Sequence, residues 1–244
     1  MKITKTLLLL CLLLTSATSC GSGDWRTASR ESTGIAPKAS QLKEAIFQIY
    51  YARAYSWRGW FGVHPWVAWK LKGESQYTVA QIHGWNAWRG KSTVMVFEDL
   101  PDRKWFGSDP TLSLQVRGAK AEVIVSRVKE LIKKYPYRDS YRVWPGPNSN
   151  TFVSYLIRHT PQLVTELPPH AVGKDWLVDS QLFSKSPSGT GLQFSLLGVL
   201  GLTIGLEEGI EVNILGLSFG LDFNRPALKL PMIGRLGFQD QQVE

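Results

Sequence analysis

Cysteine and histidine are scarce in this chain, and their scarcity limits the chemistry that it can perform. Only 2 of its 244 residues are cysteines, Cys11 and Cys20, and both lie near the N-terminus. We therefore expect no disulfide and no cysteine nucleophile in the folded part. The histidines number 4 and are scattered, at positions 64, 83, 159 and 170, without a zinc-binding spacing. We expect no metal and no cofactor.

Signatures of nucleotide and nucleic-acid binding are also missing. The chain has no phosphate-binding Walker loop, no dinucleotide-binding glycine pattern and no His-Glu-x-x-His zinc motif. Lys and Arg number 28 against 20 acidic residues, which gives a formal charge of +8. No arginine-rich run accompanies this excess, so it fits an anionic membrane or polymer, and nucleic acid is not expected as a partner.

Residues 1–19 have the features of an export signal. Lys2 and Lys5 give a charged start, and residues 7–14 form an apolar run that is too short to span a bilayer as a stable helix. The small residues before Cys20 resemble the lipobox of bacterial lipoproteins. The resemblance implies cleavage before Cys20 and a diacylglycerol on its sulfur, with ordinary secretory cleavage nearby as the alternative.

A lipidated Cys20 would hold the protein firmly on a membrane surface. Residues 20–40 are polar and rich in Ser, Thr and Gly, so we expect a flexible tether between the anchor and the fold. Gly21 and Ser22 follow the cysteine, and the absence of aspartate at the second position favours the outer membrane, by analogy with enteric bacteria. The predicted location is the cell envelope, on a membrane facing the periplasm. The sequence gives no indication of the oligomeric state.

Runs of β-branched and aromatic residues predict strands over residues 45–55, 63–71, 76–83, 93–97 and 112–116. The segment Lys72-Gly73-Glu74-Ser75 is typical of a hairpin loop between the second and third strands. Pairing that is symmetric about this loop places His64 opposite His83 on one face of the sheet. A shift of one residue would separate them, so two unrelated histidines are an equal alternative.

Two helices are predicted. Apolar residues recur at helical spacing at positions 121, 124, 128, 131 and 135, and this amphipathic helix ends before Pro136. A second helix should follow Pro145 and Pro147, because residues 148–151 are all good N-caps and a periodic apolar stretch comes next. The expected fold class is α+β, with an antiparallel sheet and two main helices in a core domain over residues 41–185.

Tryptophan is concentrated in one part of the chain, since 6 of its 10 copies lie between residues 57 and 88. That is more than a core needs. We expect either an aromatic groove for a lipid or cell-wall ligand or a belt in the membrane interface. The groove is assigned to Trp57, Trp60, Trp66, Trp69 and Trp85.

Residues 186–244 differ in character from the rest. No charged residue occurs between positions 186 and 206, and glycine recurs. The segment Glu207-Glu208-Gly209 is typical of a hairpin turn, between strands at 199–206 and 210–221. We expect a glycine-rich β extension that packs either on the core or on a membrane.

Three residues could form a nucleophilic site. A serine hydroxyl needs an adjacent base, and the base needs a third group to orient it. His64 as base, His83 as orienting group and Ser149 as nucleophile meet this need, with Asn148 and Asn150 to hold an oxyanion. The plainer interpretation of Asn148, Ser149 and Asn150 is the start of an ordinary capped helix.

The loop at residues 167–176 carries two further polar candidates. Loops on a rigid scaffold often carry functional side chains, and prolines and a glycine punctuate this one. His170 and Asp175 could serve a site there, but a solvated loop is the simpler interpretation.

The chain from about residue 51 to 237 resembles a bacterial lipoprotein family known only as domain of unknown function number 3750. Four strings carry the resemblance: His64-Pro65-Trp66, residues 144–152 (WPGPNSNTF), Gly173-Lys174-Asp175-Trp176 and residues 225–231 (RPALKLP). The resemblance implies a lipid-anchored envelope protein and supplies no established activity.

A second similarity is to circularly permuted papain-like domains, such as lecithin retinol acyltransferase and NlpC-type enzymes. Their nucleophile motif, Asn-Cys-Glu-His-Phe-Val, can be laid on residues 148–153, where Ser149 falls on the cysteine. It implies that His64 and His83 complete the site. Serine is a poorer nucleophile than a thiolate, so the similarity implies either a serine variant or a homologue retained for binding.

Two functions are therefore predicted. The first is binding of a lipid or cell-wall ligand in the tryptophan groove by a lipid-anchored envelope protein. The alternative is acyl hydrolysis or transfer, with Ser149 as nucleophile and His64 as base.

Overall fold

The computed structural model describes residues 24–238. The predicted export signal and Cys20 lie outside the described residues. Within residues 24–238 the chain forms two antiparallel sheets and two α-helices, so it is an α+β protein, as the sequence predicted. Neither of these helices is long and apolar enough to cross a membrane.

The first sheet consists of β1 (Ile46–Arg53), β2 (Val63–Lys70), β3 (Thr78–Ile82), β4 (Val94–Glu98) and β5 (Thr111–Arg117). Their spatial order is β4-β3-β2-β1-β5. Val67 pairs with Ala80 and Trp69 with Thr78, which confirms the symmetric register predicted for the hairpin between β2 and β3. A hairpin register of this kind is set by the local turn, so it can be predicted from sequence.

Both helices cover one face of this sheet. They are α1 (Gly118–Lys134) and α2 (Ser149–Arg158), and the main core lies between them and the sheet. Val67 faces the helices, whereas its neighbour Trp66 points to the opposite face and joins a smaller cluster there. Since side chains alternate along a strand, every residue of β2 can be assigned to one face or the other.

The segment before β1 is not a free tether, which corrects the prediction for residues 24–40. Asp102 accepts hydrogen bonds from the Ser32 hydroxyl (2.7 Å) and from the backbone N–H of Ala36 (3.1 Å). The Tyr77 hydroxyl donates to the Pro37 carbonyl at 2.8 Å. The segment therefore lies against the loop between β4 and β5, on the helix-free face of the first sheet.

The second sheet is a meander of seven strands, paired in the order of the chain. Its strands are β6 (Phe183–Lys185), β7 (Gly191–Leu196), β8 (Leu200–Gly205), β9 (Gly209–Ile214), β10 (Leu217–Asp222), β11 (Ala227–Leu230) and β12 (Gly234–Gly237). The turn predicted at residues 207–209 joins β8 and β9. The strand predicted over residues 210–221 is two strands, because the chain turns at Leu215-Gly216.

The polarity of the second sheet is the reverse of the usual one. In β9, Glu211 and Asn213 are buried, while Ile210, Val212 and Ile214 are exposed. The same alternation runs through β7, β8 and β10. A solvated antiparallel sheet normally buries its apolar side chains, so this sheet packs on the core with its polar face and turns its apolar face outward.

Candidate functional site

The start of α2 is capped as the sequence predicted. Asn148 Oδ1 accepts hydrogen bonds from the backbone N–H groups of Asn150 (2.9 Å) and Thr151 (3.2 Å). In return, the backbone N–H of Asn148 donates to Thr151 Oγ1 at 3.1 Å. This reciprocal arrangement is a capping box, and it satisfies backbone donors that the helix itself cannot pair.

The same side chains also hold the loop that follows α2. The amide groups of Asn148 and Asn150 donate to the Val172 carbonyl at 2.9 and 2.8 Å. The Thr151 hydroxyl donates to the Gly173 carbonyl at 2.9 Å. The amides expected to hold an oxyanion are therefore engaged by a backbone carbonyl, and their role in the structure is to fix the loop at residues 170–176.

The structure does not bring His64 to Ser149. Asn150 donates to the Val63 carbonyl at 3.1 Å, so the start of α2 lies at the beginning of β2 on the helix-covered face. The His64 imidazole points to the opposite face, where it stacks on Trp105 with ring centroids 3.6 Å apart. The predicted nucleophile and its predicted base are thus on opposite sides of the first sheet.

His64 and His83 do share a face, but they are not direct cross-strand neighbours. The ladder between β2 and β3 pairs only residues 67–69 with residues 78–80, and His83 lies just beyond the end of β3. His64 Nε2 instead bonds Gln81 Oε1 at 3.0 Å. His83 stacks on Trp85 with ring centroids 4.4 Å apart. The symmetric register was right, but the strands separate before reaching the two histidines.

The rings of His83, Trp85 and Trp105 border a pocket on the helix-free face of the first sheet, with a volume of about 210 Å³. Its aromatic lining includes Trp66, Trp85 and Trp105. Its charged lining consists of Arg30, Arg103, Lys104 and Asp99. We call this the aromatic pocket. Three cations and one carboxylate among these residues give the lining a positive balance, and the indole rings offer flat apolar surfaces.

Two of the five tryptophans assigned to the groove line the aromatic pocket, Trp66 and Trp85. Trp69 is buried on the helix-covered face, and Lys129 lies 5.9 Å from its ring. Trp57 and Trp60 are exposed on a 3-10 helix (Ser56–Trp60) and do not line the pocket.

The central ring of the pocket, Trp105, was not among the residues assigned from sequence. It lies in the loop between β4 and β5, far along the chain from the tryptophan-rich stretch. The neighbouring Lys104 and Phe106 made a short cationic and aromatic run that could have drawn attention to it. Its contact with His64 depends on how the loop folds back over the sheet, and no local pattern reports that.

Burial keeps the imidazoles of His64 and His83 neutral. It lowers the pKa of His64 to about 3, against the hydrogen bond that the ring donates to Gln81, which raises it. Burial, with the nearby charge of Arg30, lowers the pKa of His83 to about 4. A general base works best when its pKa is near the working pH, so both rings are poor bases at neutral pH. His83 lines the pocket as an uncharged ring, and His64 is stacked on Trp105.

The cations of the pocket are held in place by neighbouring groups. Arg103 pairs with Asp99 at 2.6 Å, and Lys104 pairs with Asp109 at 3.0 Å. The Arg30 guanidinium lies over the Phe106 ring, 4.5 Å from its centroid. A guanidinium stacked on an aromatic face keeps its donors at the edge, where an anionic ligand in the pocket can reach them.

The loop at residues 170–176 is buried, which corrects the expectation of a solvated loop. His170 packs edge-on against Tyr51, with ring centroids 6.0 Å apart. Asp175 accepts hydrogen bonds from the side-chain amides of Gln193 and Asn213, both at 2.6 Å. Its neighbour Lys174 reaches into the second sheet as well, so this loop joins the two sheets.

A network of buried charges forms the junction between the sheets. Lys174 Nζ lies 2.5 Å from Glu211 Oε2 and 3.7 Å from Asp175 Oδ1. Lys229 contacts Glu166 and lies 3.1 Å from the other oxygen of Glu211. Buried charges are tolerated when they are paired in this way. The polar face of the second sheet is therefore matched by charged residues from outside it.

Comparison with known proteins places the chain in a family without assigning a function. No curated protein and no solved structure matches it significantly. The model of one family, described as "Protein of unknown function (DUF3750)", matches residues 44–176. The match covers the first sheet, both helices and the loop that ends at Trp176, and it spans more than half of the 244 residues. The chain therefore belongs to the DUF3750 family of proteins of unknown function.

Proposed function

We propose that this protein is a binding protein of the bacterial envelope, whose aromatic pocket takes an anionic ligand with a ring that can stack on an indole, such as an acidic sugar. One observation carries the proposal: the rings of His83, Trp85 and Trp105 line the pocket together with three cationic side chains. Sites for small ligands combine an apolar surface with a few placed polar groups in this way.

The size of the pocket supports a small ligand. Its volume of about 210 Å³ is below the roughly 300–1,000 Å³ of sites for drug-sized molecules. We therefore expect one ring to enter, with the remainder of a larger molecule outside. An acidic sugar of the cell wall and the acidic headgroup of a glycolipid share this chemistry.

The predicted lipid anchor supports a location close to the membrane. Arg30 lines the pocket and lies about ten residues after Cys20, a distance that extended chain spans in at most roughly 35 Å. An acyl group on Cys20 would keep the pocket within reach of ligands at the membrane surface. The lipoprotein character, the envelope location and the preference for the outer membrane remain parts of this proposal.

Binding can be tested by titrating the protein with two kinds of ligand while tryptophan fluorescence is recorded. One is a soluble cell-wall fragment that carries an acidic sugar, and the other is a vesicle that contains an acidic glycolipid. We expect saturable quenching by one of them. Trp105→Ala and Arg30→Gln should each weaken binding at least about tenfold, a loss of about 1.4 kcal/mol.

Trp88→Ala is the matched control, because this tryptophan is 83% exposed and does not line the pocket. Its affinity should equal that of the unmodified protein. Equal affinity in Trp105→Ala and Arg30→Gln, or no binding of either ligand, would refute the proposal.

Acyl transfer by Ser149 is the second candidate, and with it the permuted papain-like arrangement. It is favoured by the position of Ser149 in the first turn of a capped helix, where backbone N–H groups and the helix dipole stabilise an anion. It needs a base other than His64, whose ring lies on the opposite face and has a lowered pKa. Covalent labelling of Ser149 by an acyl-serine probe, abolished in Ser149→Ala, would support this candidate over simple binding.

A further inference from the structure

The outer face of the second sheet is apolar across its central strands. Strands β7 to β10 present alternate residues outward, and each of these is a leucine, isoleucine, valine or phenylalanine. Leu202, in a central strand, is 41% exposed, and Leu192 is 72% exposed. The largest contiguous apolar patch on a soluble monomer is usually only roughly 300–600 Å² and is often functional. A whole sheet face of this composition marks a binding surface.

Three turns extend this surface at one end of the sheet. Because neighbouring strands run in opposite directions, the turns β7–β8, β9–β10 and β11–β12 lie at the same end. They contain Leu197, Leu215 and Met232, with φ angles of 50°, 55° and 68°. All three side chains are exposed. Left-handed backbone in tight turns favours Gly, Asn and Asp, so an apolar residue at each turn adds strain and an exposed apolar tip.

The opposite end of the sheet carries apolar as well as charged residues, since Leu206 and Phe223 in its turns are 73% and 65% exposed. Its turns carry Glu207 and Arg225, which pair at 2.9 Å. At the end with Leu197, Leu215 and Met232, the half-exposed Trp144 donates from its indole N–H to the Leu215 carbonyl at 2.8 Å. Tryptophan is enriched at the boundary between hydrocarbon and water in membranes. The exposed apolar surface thus runs from one end of the sheet to the other, and Trp144 lies at its edge.

We propose that the outer face of β7 to β10, together with the turns at Leu197, Leu215 and Met232, binds the surface of a lipid bilayer. The apolar face lies against the hydrocarbon, and the polar face of the same strands stays packed on the rest of the protein. Amphipathic elements that bind in this way bury their apolar face about 5–10 Å into the boundary of the headgroups. Binding of the anionic ligand in the aromatic pocket is a separate matter, and this inference does not depend on it.

The composition of the face favours lipid over a protein partner. Protein interfaces carry about one hydrogen bond per 100–200 Å², and the outward side chains of β7 to β10 offer neither donors nor acceptors. Their backbone groups are paired along the sheet. The chain also arrives at a membrane by a separate route, the lipid predicted on Cys20, which would bring a bilayer within reach of this face.

A fluorescent probe on the face tests the contact directly. In the full-length chain, Cys11→Ser and Cys20→Ser remove the native thiols and the predicted anchor. Leu202→Cys then carries an environment-sensitive dye, and Val123→Cys on α1, also exposed, carries it in the matched control. Vesicles of phosphatidylethanolamine and phosphatidylglycerol should shift the emission of the dye at position 202 to the blue. Nitroxide-labelled lipids should quench it, and the dye at position 123 should respond to neither.

A second pair of variants measures the strength of binding. Val212→Asp, on the face, should reduce flotation with the same vesicles, whereas Val123→Asp should not. The proposal is overturned if the dye at position 202 stays in a water-like environment with vesicles present. A dimer would also overturn it. In that case the dye at position 202 is shielded from water without lipid, nitroxide-labelled lipids do not quench it, and the protein sediments as a dimer because a second copy covers the face.

Discussion

Replacing Lys174 by methionine removes one charge from the buried junction between the two sheets. The side chain is 2% exposed and pairs with Glu211 and Asp175. Breaking a buried pair by removing one partner costs about 3–5 kcal/mol, because the other charge loses its compensation. Glu211 keeps its contact with Lys229, so we expect Lys174→Met to lower the free energy of unfolding by about 3 kcal/mol, the lower end of this range.

Urea unfolding followed by circular dichroism measures this loss. With a slope of about 2 kcal/mol per molar urea, the midpoint should fall by about 1.5 M. Glu130→Gln is the matched control, because Arg127 and Glu130 form an exposed pair at 3.2 Å on α1, and this change leaves the bond from Arg127 to the His159 carbonyl in place. Exposed pairs of this kind contribute about 0.5 kcal/mol or less. If Lys174→Met costs no more than Glu130→Gln, the charged network does not hold the sheets together.

The pH dependence of this loss follows from the pKa values of the pair. Burial would lower the pKa of Lys174, but Asp175 and Glu211 raise it above its ordinary value. Burial would raise the pKa of Glu211, but Lys174 and Lys229 hold it below its ordinary value. The lysine contributes below its unfolded pKa, and the glutamate contributes above its own. The loss should therefore be constant between about pH 5 and 10 and shrink outside that window.

Three further predictions concern single sites. The rings of His64 and His83 should show no titration in NMR spectra between pH 8 and 5, because burial lowers both pKa values. The unfolded rings bind protons below about pH 6.5, so the free energy of unfolding should fall as the pH drops through this range. Titration of either ring near pH 6.5 in the folded protein would contradict the burial. Asn148→Ala should cost about 2 kcal/mol in urea unfolding, the upper end for a lost cap, because the amide also holds the Val172 carbonyl; a loss below about 0.5 kcal/mol would show that the cap is dispensable. Gly173→Ala should lower the melting temperature more than Gly73→Ala. Both glycines have positive φ, but a Cβ at position 173 would lie 2.6 Å from Asn148 Nδ2, whereas position 73 is open. Equal losses in melting temperature would show that the close contact at position 173 adds nothing to the backbone strain that both variants share.

The features that could be predicted from sequence are those set by nearby residues. The hairpin between β2 and β3 depends on its own short loop, so the pairing of Val67 with Ala80 followed from the symmetry of the strands. The cap of α2 depends on four consecutive residues, and Asn148 was identified as a capping residue for that reason. Local turn chemistry and helical periodicity carry this information within a few residues.

The features that could not be predicted depend on distant residues. The alternation of Ile210, Glu211, Val212 and Asn213 indicates a strand with two different faces, but it does not say which face is buried. The polar face is inside because Lys174 and the residues around it, from a separate loop, supply its partners. Trp105 was missed for the same reason, since its contact with His64 joins a loop to a strand. Tertiary contacts, rather than local preference, decide such positions.

The buried junction has a consequence for the order in which the protein is assembled. A ribosome makes the chain from its N-terminus, so Lys174 emerges before its partner Glu211, which lies 37 residues later, and before Lys229. Until those strands arrive, the loop at residues 170–176 must stay hydrated even if the first sheet and both helices have already folded around it. The family match ends at Trp176, so a fragment cut there would keep a lysine and an aspartate whose partners on the second sheet are all downstream. The strands that are made last thus supply the partners for charged residues of the part of the chain that is made first.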